Sequence, residues 1–87
     1  DATIASLVRG QTVSLSGTVD RITDDDEFLL RDDTGTVEVY VGPNRIPADP
    51  GEAVTVIGMV DDEGPMEIYA TTLIRSDGTS IDFPHEY

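Results

Sequence analysis

The chain has 87 residues, with eighteen Asp and Glu against five Arg, no Lys and no Cys, for a formal net charge of −13. A chain of this length makes one domain that buries only roughly 60% of the surface its unfolded form exposes, too little to house a deep multi-residue active site. Without cysteine there are no disulfides, thiolate metal sites or cysteine catalysis, and the acidic field repels phosphate backbones and anionic lipid while favouring cations and basic peptides.

In chain order, residues 3–10 place apolar side chains at Ile4, Leu7 and Val8, behind a cap at Thr3 and ahead of a stop at Gly10, which predicts a short helix over about 3–9. Residues 11–22 read as one long strand with Val13, Leu15, Val19 and Ile22 apolar. Gly17 sits where the parity of that pattern shifts, as at a bulge or coil that bends one strand across both halves of a barrel. Residues 23–27 are an acidic turn, 27–32 a second strand, Asp33-Thr34-Gly35 a tight turn and 36–42 a third strand. Alternation puts Phe28, Leu30, Val37, Val39 and Val41 on inner faces, and Leu29, Arg31, Glu38 and Tyr40 on outer ones. Residues 42–51 hold Pro43, Pro47 and Pro50 and read as a loop. A fourth strand over 53–60, a second acidic turn over 61–65 and a fifth strand over 66–74 follow. The tail, 76–87, reads as polar, packing through Ile81, Phe83 or Tyr87 alone. The apolar run 54–60 is interrupted by Thr55 and Gly58 and falls far short of the ~20 residues that span a bilayer, so no membrane partner is expected. Starting at Asp1, with neither an initiator methionine nor a leader, the sequence suits a mature exported protein or a trimmed chain.

Five strands, the first of them bent, and a helix able to plug one end describe an all-β, five-stranded Greek-key barrel of the oligonucleotide/oligosaccharide-binding (OB) type, in one domain over 1–87 with the barrel at about 11–75. The run Phe28-Leu29-Leu30-Arg31-Asp32-Asp33-Thr34-Gly35-Thr36-Val37-Glu38-Val39 is preceded by Thr12-Val13-Ser14-Leu15-Ser16-Gly17-Thr18-Val19 and followed by Ala53-Val54-Thr55-Val56-Ile57-Gly58-Met59-Val60-Asp61. Together these resemble the bacterial OB-fold (BOF) family of small periplasmic stress-tolerance proteins, over roughly residues 3–75. A strand, Arg-Asp-x-Thr-Gly and a second strand also look like anticodon-binding and single-strand-binding OB domains. The family resemblance implies an exported, periplasmic, non-enzymatic binding module with no defined ligand. The chain departs from the family pattern in its missing lysines, its proline-rich loop after the third strand and its longer tail.

Leu29, Arg31 and Tyr40 are expected to share the outer face of the second and third strands, with Tyr69 on the neighbouring fifth strand, where OB domains hold ligands. Glu38 and Glu67 fall on the same face, and nucleic-acid binders of this fold need a positive groove there. Asp24, Asp25 and Asp26, with Glu27, and Asp61, Asp62 and Glu63 lie in two loops that flank one mouth of such a barrel. Their oxygens could hold a hard cation weakly, although neither run has calcium-loop spacing. Asp32 and Asp33 beside Thr34-Gly35 are explained by turn chemistry, and His85 is a lone tail histidine with no second nitrogen or sulfur ligand to make a zinc site.

A single tail histidine supports no Ser-His-Asp arrangement, the absence of lysine excludes Schiff-base chemistry, and turn carboxylates lack the burial that separates acid from base. The expectation is therefore a non-enzyme without cofactor, a monomer, taking a small cationic ligand or a basic protein partner and disfavouring nucleic acid at ordinary salt. Two alternatives stand beside it. One is a single-strand nucleic-acid-binding domain from a salt-adapted organism, where ~3 Å screening at 1 M salt removes the charge argument. The other is a protein-interaction domain with no small ligand.

Overall fold

The structure is a computed structural model that describes residues 2–42, 46, 48–61 and 66–83. Six strands form in chain order: β1 (Thr12–Asp24), β2 (Glu27–Asp32), β3 (Gly35–Tyr40), β4 (Ala53–Val60), β5 (Glu67–Ile74) and β6 (Ser80–Asp82). Hydrogen bonding runs β3-β2-β1-β4-β5-β6, and a further parallel pairing of β3 with β5 closes β1 to β5 into a barrel. This is the all-β, five-stranded OB barrel expected from the sequence, extended by one short strand.

β2, β3 and β4 follow from alternation, and on β5 the inner phase shifts between Ala70 and Leu73, opposite the register shift between Ile57 and Gly58. Phe28 and Leu30 on β2, Val37 and Val39 on β3, Val54 and Val56 on β4, and Ile68, Ala70 and Leu73 on β5 are buried, and together they fill the barrel. No polar or charged side chain among the described residues is buried with them. β1 is long because it serves both halves: Thr12 to Thr18 pair with β4, and Thr18 to Asp24 pair with β2.

The parity of β1 does not shift at Gly17, contrary to the sequence expectation. Val13, Leu15 and Val19 are all buried, so the inner phase runs unbroken through Gly17. Gly17 is needed for another reason: a Cβ there would lie 2.5 Å from the Arg31 carbonyl oxygen, where the end of β2 crosses the bend. The phase changes later, at register shifts between Val19 and Arg21 and between Ile22 and Asp24. Beyond the first shift Ile22 stands opposite the buried Phe28, yet it is 41% exposed instead of in the core.

Two further expectations change. The helix over 3–9 is a 3-10 turn over Ile4–Ser6, and the chain is already extended at Leu7. Its amides are claimed from outside: Ile4 N–H donates to Asp32 Oδ2 at 2.9 Å and Ala5 N–H to Thr34 Oγ1 at 2.9 Å. The tail is not merely a polar appendage, because β6 adds to β5 and Phe83 is buried, its N–H donating to the Thr71 carbonyl at 2.9 Å. Ile81 packs against the same core, whereas Tyr87 and His85 lie outside the described residues.

Candidate functional site

The outer face of β2, β3 and β5 is built from two rows of facing residues. Tyr40 stands opposite Glu27 on one side and Tyr69 on the other; Glu38 stands opposite Leu29 and Glu67. Asp24 extends the first row beyond Glu27, and Met59 extends it beyond Tyr69. The two tyrosine rings meet edge to face, with centroids 5.9 Å apart and planes at 79°, a geometry that sets the positive edge of one ring against the negative face of the other.

Carboxylates ring this pair. The Tyr69 hydroxyl donates to Asp61 Oδ2 at 3.1 Å, and the Thr23 hydroxyl donates to Glu38 Oε2 at 2.8 Å. Glu67 and Glu27 share a hydrogen bond that reaches across β3. Burial, then the Glu27 charge and that hydrogen bond, then Asp61 and Glu38, push the Glu67 carboxyl up to about 7. Glu27 is raised as well, by burial first and by Glu38 and Asp26 next, while the proton donated by Glu67 works the other way. Both carboxyls are thus raised, and the two titrate as one coupled pair.

Of the four expected ligand-face residues, Tyr40 and Tyr69 are in contact and Leu29 lies in the adjacent row. Arg31 is elsewhere. It pairs with Thr36 and Thr18, two outward positions along β2 from Glu27, a rise of about 13 Å from the tyrosine row. There it meets Asp20 at 3.3 Å and lines an open groove of about 630 Å³ with Ser16, Thr18, Thr55 and Arg75. Arg75 holds Glu52 through two bonds of 2.9 and 3.0 Å, and the guanidinium draws the Glu52 carboxyl down to about 2.

Of the two acidic runs, Asp24 to Glu27 lie at one end of the site and Asp61 at the other. Asp24 closes β1, Asp25 N–H donates to Asp24 Oδ1 at 2.7 Å, and Asp26 adds its charge to Glu27; Asp61 acts on Glu67 from the other side. Asp62 and Glu63 lie outside the described residues, among which no group of three or more metal-binding side chains is assembled. Asp32 works as turn chemistry requires: Oδ1 accepts Thr34 N–H at 2.7 Å and Gly35 N–H at 3.1 Å. Burial opposes its charge, but these bonds, with those from the Thr34 hydroxyl and Ile4, hold the carboxyl below its ordinary range.

Sequence reasoning missed the Glu27–Glu67 contact. Glu38 and Glu67 could be assigned to one face by alternation, but Glu27 reads as the end of an acidic turn. Only the parallel β3–β5 closure, which no local pattern encodes, brings it within reach of β5.

No protein-family model matches the chain, and no curated protein matches it. Solved structures do. ygiW, a hypothetical protein from E. coli, aligns at a TM-score of 0.73 with 25% identity over 85% of this chain and 87% of that one. That likeness bears out the resemblance to the bacterial OB-fold family. The telomere capping protein Ten1 from S. pombe aligns at a TM-score of 0.65 with 17% identity, covering 88% of this chain and 80% of its own. The S. pombe Stn1–Ten1 complex gives 0.65 and 16% over 90% and 76%. These last two share the fold alone.

Proposed function

We propose that this chain is a non-enzymatic OB-fold binding or adaptor module whose ligand surface is the outer face of β2, β3 and β5, and that its ligand is a basic segment of a protein partner. The observation that carries the reading is the edge-to-face Tyr40–Tyr69 pair set among Glu27, Glu38, Glu67 and Asp61, with Leu29 beside it. Ring faces attract guanidinium and ammonium groups, and carboxylates accept charge-assisted hydrogen bonds from them. The apolar neighbours Leu29 and Met59 suit the aliphatic stems of Arg and Lys.

The same carboxylates oppose a single-stranded nucleic acid, which needs cations along its backbone as well as stacking rings. The raised Glu27–Glu67 pair has the composition of an acid and base, but the two groups are bonded to each other, and the open groove at Arg31 and Arg75 lies away from them. That arrangement favours binding over catalysis. A protein partner is in keeping with the Stn1–Ten1 assembly, in which a barrel of this fold is part of a complex. From the family resemblance, with which the likeness to ygiW is in keeping, the module is assigned to the periplasm and to stress tolerance, and it is taken to work as a monomer until it meets its partner.

Anisotropy of a labelled nona-arginine peptide and of an oligothymidine, each at ~0.15 M salt, tests the reading. The peptide binds and the oligonucleotide does not. Tyr40→Ala and Glu38→Gln each weaken the peptide about tenfold, equal to about 1.4 kcal/mol, while Ser16→Ala in the opposite groove leaves it unchanged. Undiminished affinity in both face variants, or preferential binding of the oligonucleotide, contradicts it.

A further inference from the structure

The barrel closes where it is least supported. Among the described residues β3 and β5 meet in three parallel pairs, Glu38 with Glu67, Val39 with Ile68 and Tyr40 with Tyr69. β1 and β4, by contrast, are joined through seven antiparallel pairs. Parallel pairing is slightly weaker per residue, and here it is also short. The Glu27 and Glu67 side chains bridge this seam from outside, since Glu27 belongs to β2 and Glu67 to β5, with β3 between them.

We propose that the Glu27–Glu67 carboxyl pair is a proton-dependent clasp on the closing seam of the barrel. With one proton shared, the pair ties β2 to β5 over β3 and holds the three-pair seam shut. With the proton gone, two carboxylates face one another at the same point, and the seam loosens. The inference concerns the barrel's own closure and stands whether or not the face binds a basic partner.

The surroundings set the sign. Among the described residues, Glu38 and the Tyr40 ring face the pair from β3, Asp61 from the end of β4, and Asp24 and Asp26 from the first turn. Arg21, opposite Leu29 on β1, is the cation of the adjacent row, two strands away from β3. Carboxylates therefore outnumber cations around the clasp, and every neighbouring acid favours keeping the proton. Glu67 is raised from 4.5 to about 7, so the clasp is fully present below pH 4.5 and is lost as pH rises through about 7.

Residue-resolved amide hydrogen exchange tests this, with rates corrected for the intrinsic pH dependence. Between pH 6 and 8 the seam amides of Val39, Tyr40, Ile68 and Tyr69 lose about tenfold more protection than those of Val13, Leu15, Val56 and Ile57, because local opening at the seam precedes global unfolding. Glu67→Gln, which keeps a neutral hydrogen-bonding group, removes that difference. Glu27→Gln serves as the second variant and removes it as well. Glu38→Gln keeps the pair and moves the transition to lower pH. Equal loss of protection at both sets of amides, or an unchanged seam response in both Glu67→Gln and Glu27→Gln, overturns the proposal.

Discussion

Along β1 and β4 the barrel is held by seven pairs whose outward side chains, Thr12, Ser14, Ser16 and Thr18 facing Met59, Ile57, Thr55 and Ala53, are all neutral; along β3 and β5 it is held by three pairs under Glu27, Glu38, Glu67 and Asp61. Closure and charge are thus segregated. The long antiparallel side can be tightly fitted because nothing on it repels, and Gly17 on β1 and Gly58 on β4 let the backbones of β2 and β5 approach where any side chain would intrude. The short parallel side tolerates a concentration of acids because the rest of the barrel supplies the stability. A concentration of like charge that the barrel tolerates is one a basic partner would relieve, which is why the β2–β3–β5 face is the better place to look for a partner.

The contrast breaks most readily on the fitted side. A Cβ at Gly58 would collide with the Tyr69 carbonyl oxygen and crowd the Ala70 Cα at 2.9 Å, both of them backbone that cannot swing aside. Gly58→Val is therefore expected to cost about 4 kcal/mol or to prevent folding, as seen by urea denaturation, at the upper end of single-residue effects. Gly17→Val meets the Arg31 carbonyl oxygen at 2.5 Å near the end of β2, where the chain has more room to shift, and should cost about 1–3 kcal/mol. An unchanged melting temperature for Gly17→Val would remove the close-approach reading of the β1 bend.

On the charged side the expected effects are smaller and depend on pH. Glu67→Gln should stabilise the protein at pH 8 by about 1 kcal/mol, after allowing for solvent screening at a half-buried group, and by nothing at pH 4.5. The direction follows from the raised carboxyl: the folded form holds a proton that the unfolded form releases above 4.5, so stability declines between 4.5 and about 7. A Glu67→Gln variant that is less stable than the parent at pH 8 refutes this. Glu52 runs the opposite way. Held at about 2 by Arg75, it contributes stability above 4.5 that disappears as pH falls through about 2, and Glu52→Gln should flatten that acid limb alone. An acid limb of unaltered slope would mean that the Arg75–Glu52 pair is idle.

Much of the fitted side was legible in the sequence. Alternation in β2 and β3 marked the inner residues correctly, and Asp32-Asp33-Thr34-Gly35 announced its turn through side chains that bond their own backbone. The misreadings share one cause, which is contact with something distant. The 3-10 turn is tied to the β2–β3 turn through its first amides, which Asp32 and Thr34 accept. Gly17 answers to a carbonyl on β2, Phe83 to a slot against β5, and Arg31 to a groove further along the same face of β2. On the charged side, alternation placed Leu29, Glu38, Tyr40 and Tyr69 outward. The pairing of Tyr40 with Tyr69 and of Glu27 with Glu67 depends on how β3 and β5 register in parallel, and that is a property of the closed barrel, not of either strand.

The most direct measurement is a chemical-shift map of the amides during titration with nona-arginine at pH 7.5 and fixed ionic strength. The perturbed residues should cluster at Leu29, Glu38, Tyr40, Glu67 and Tyr69, leaving Ser16, Thr18, Arg31 and Arg75 unmoved. Shifts concentrated in the groove between Arg31 and Arg75, or spread evenly over every acidic residue, would contradict the assignment of the β2–β3–β5 face as the binding surface.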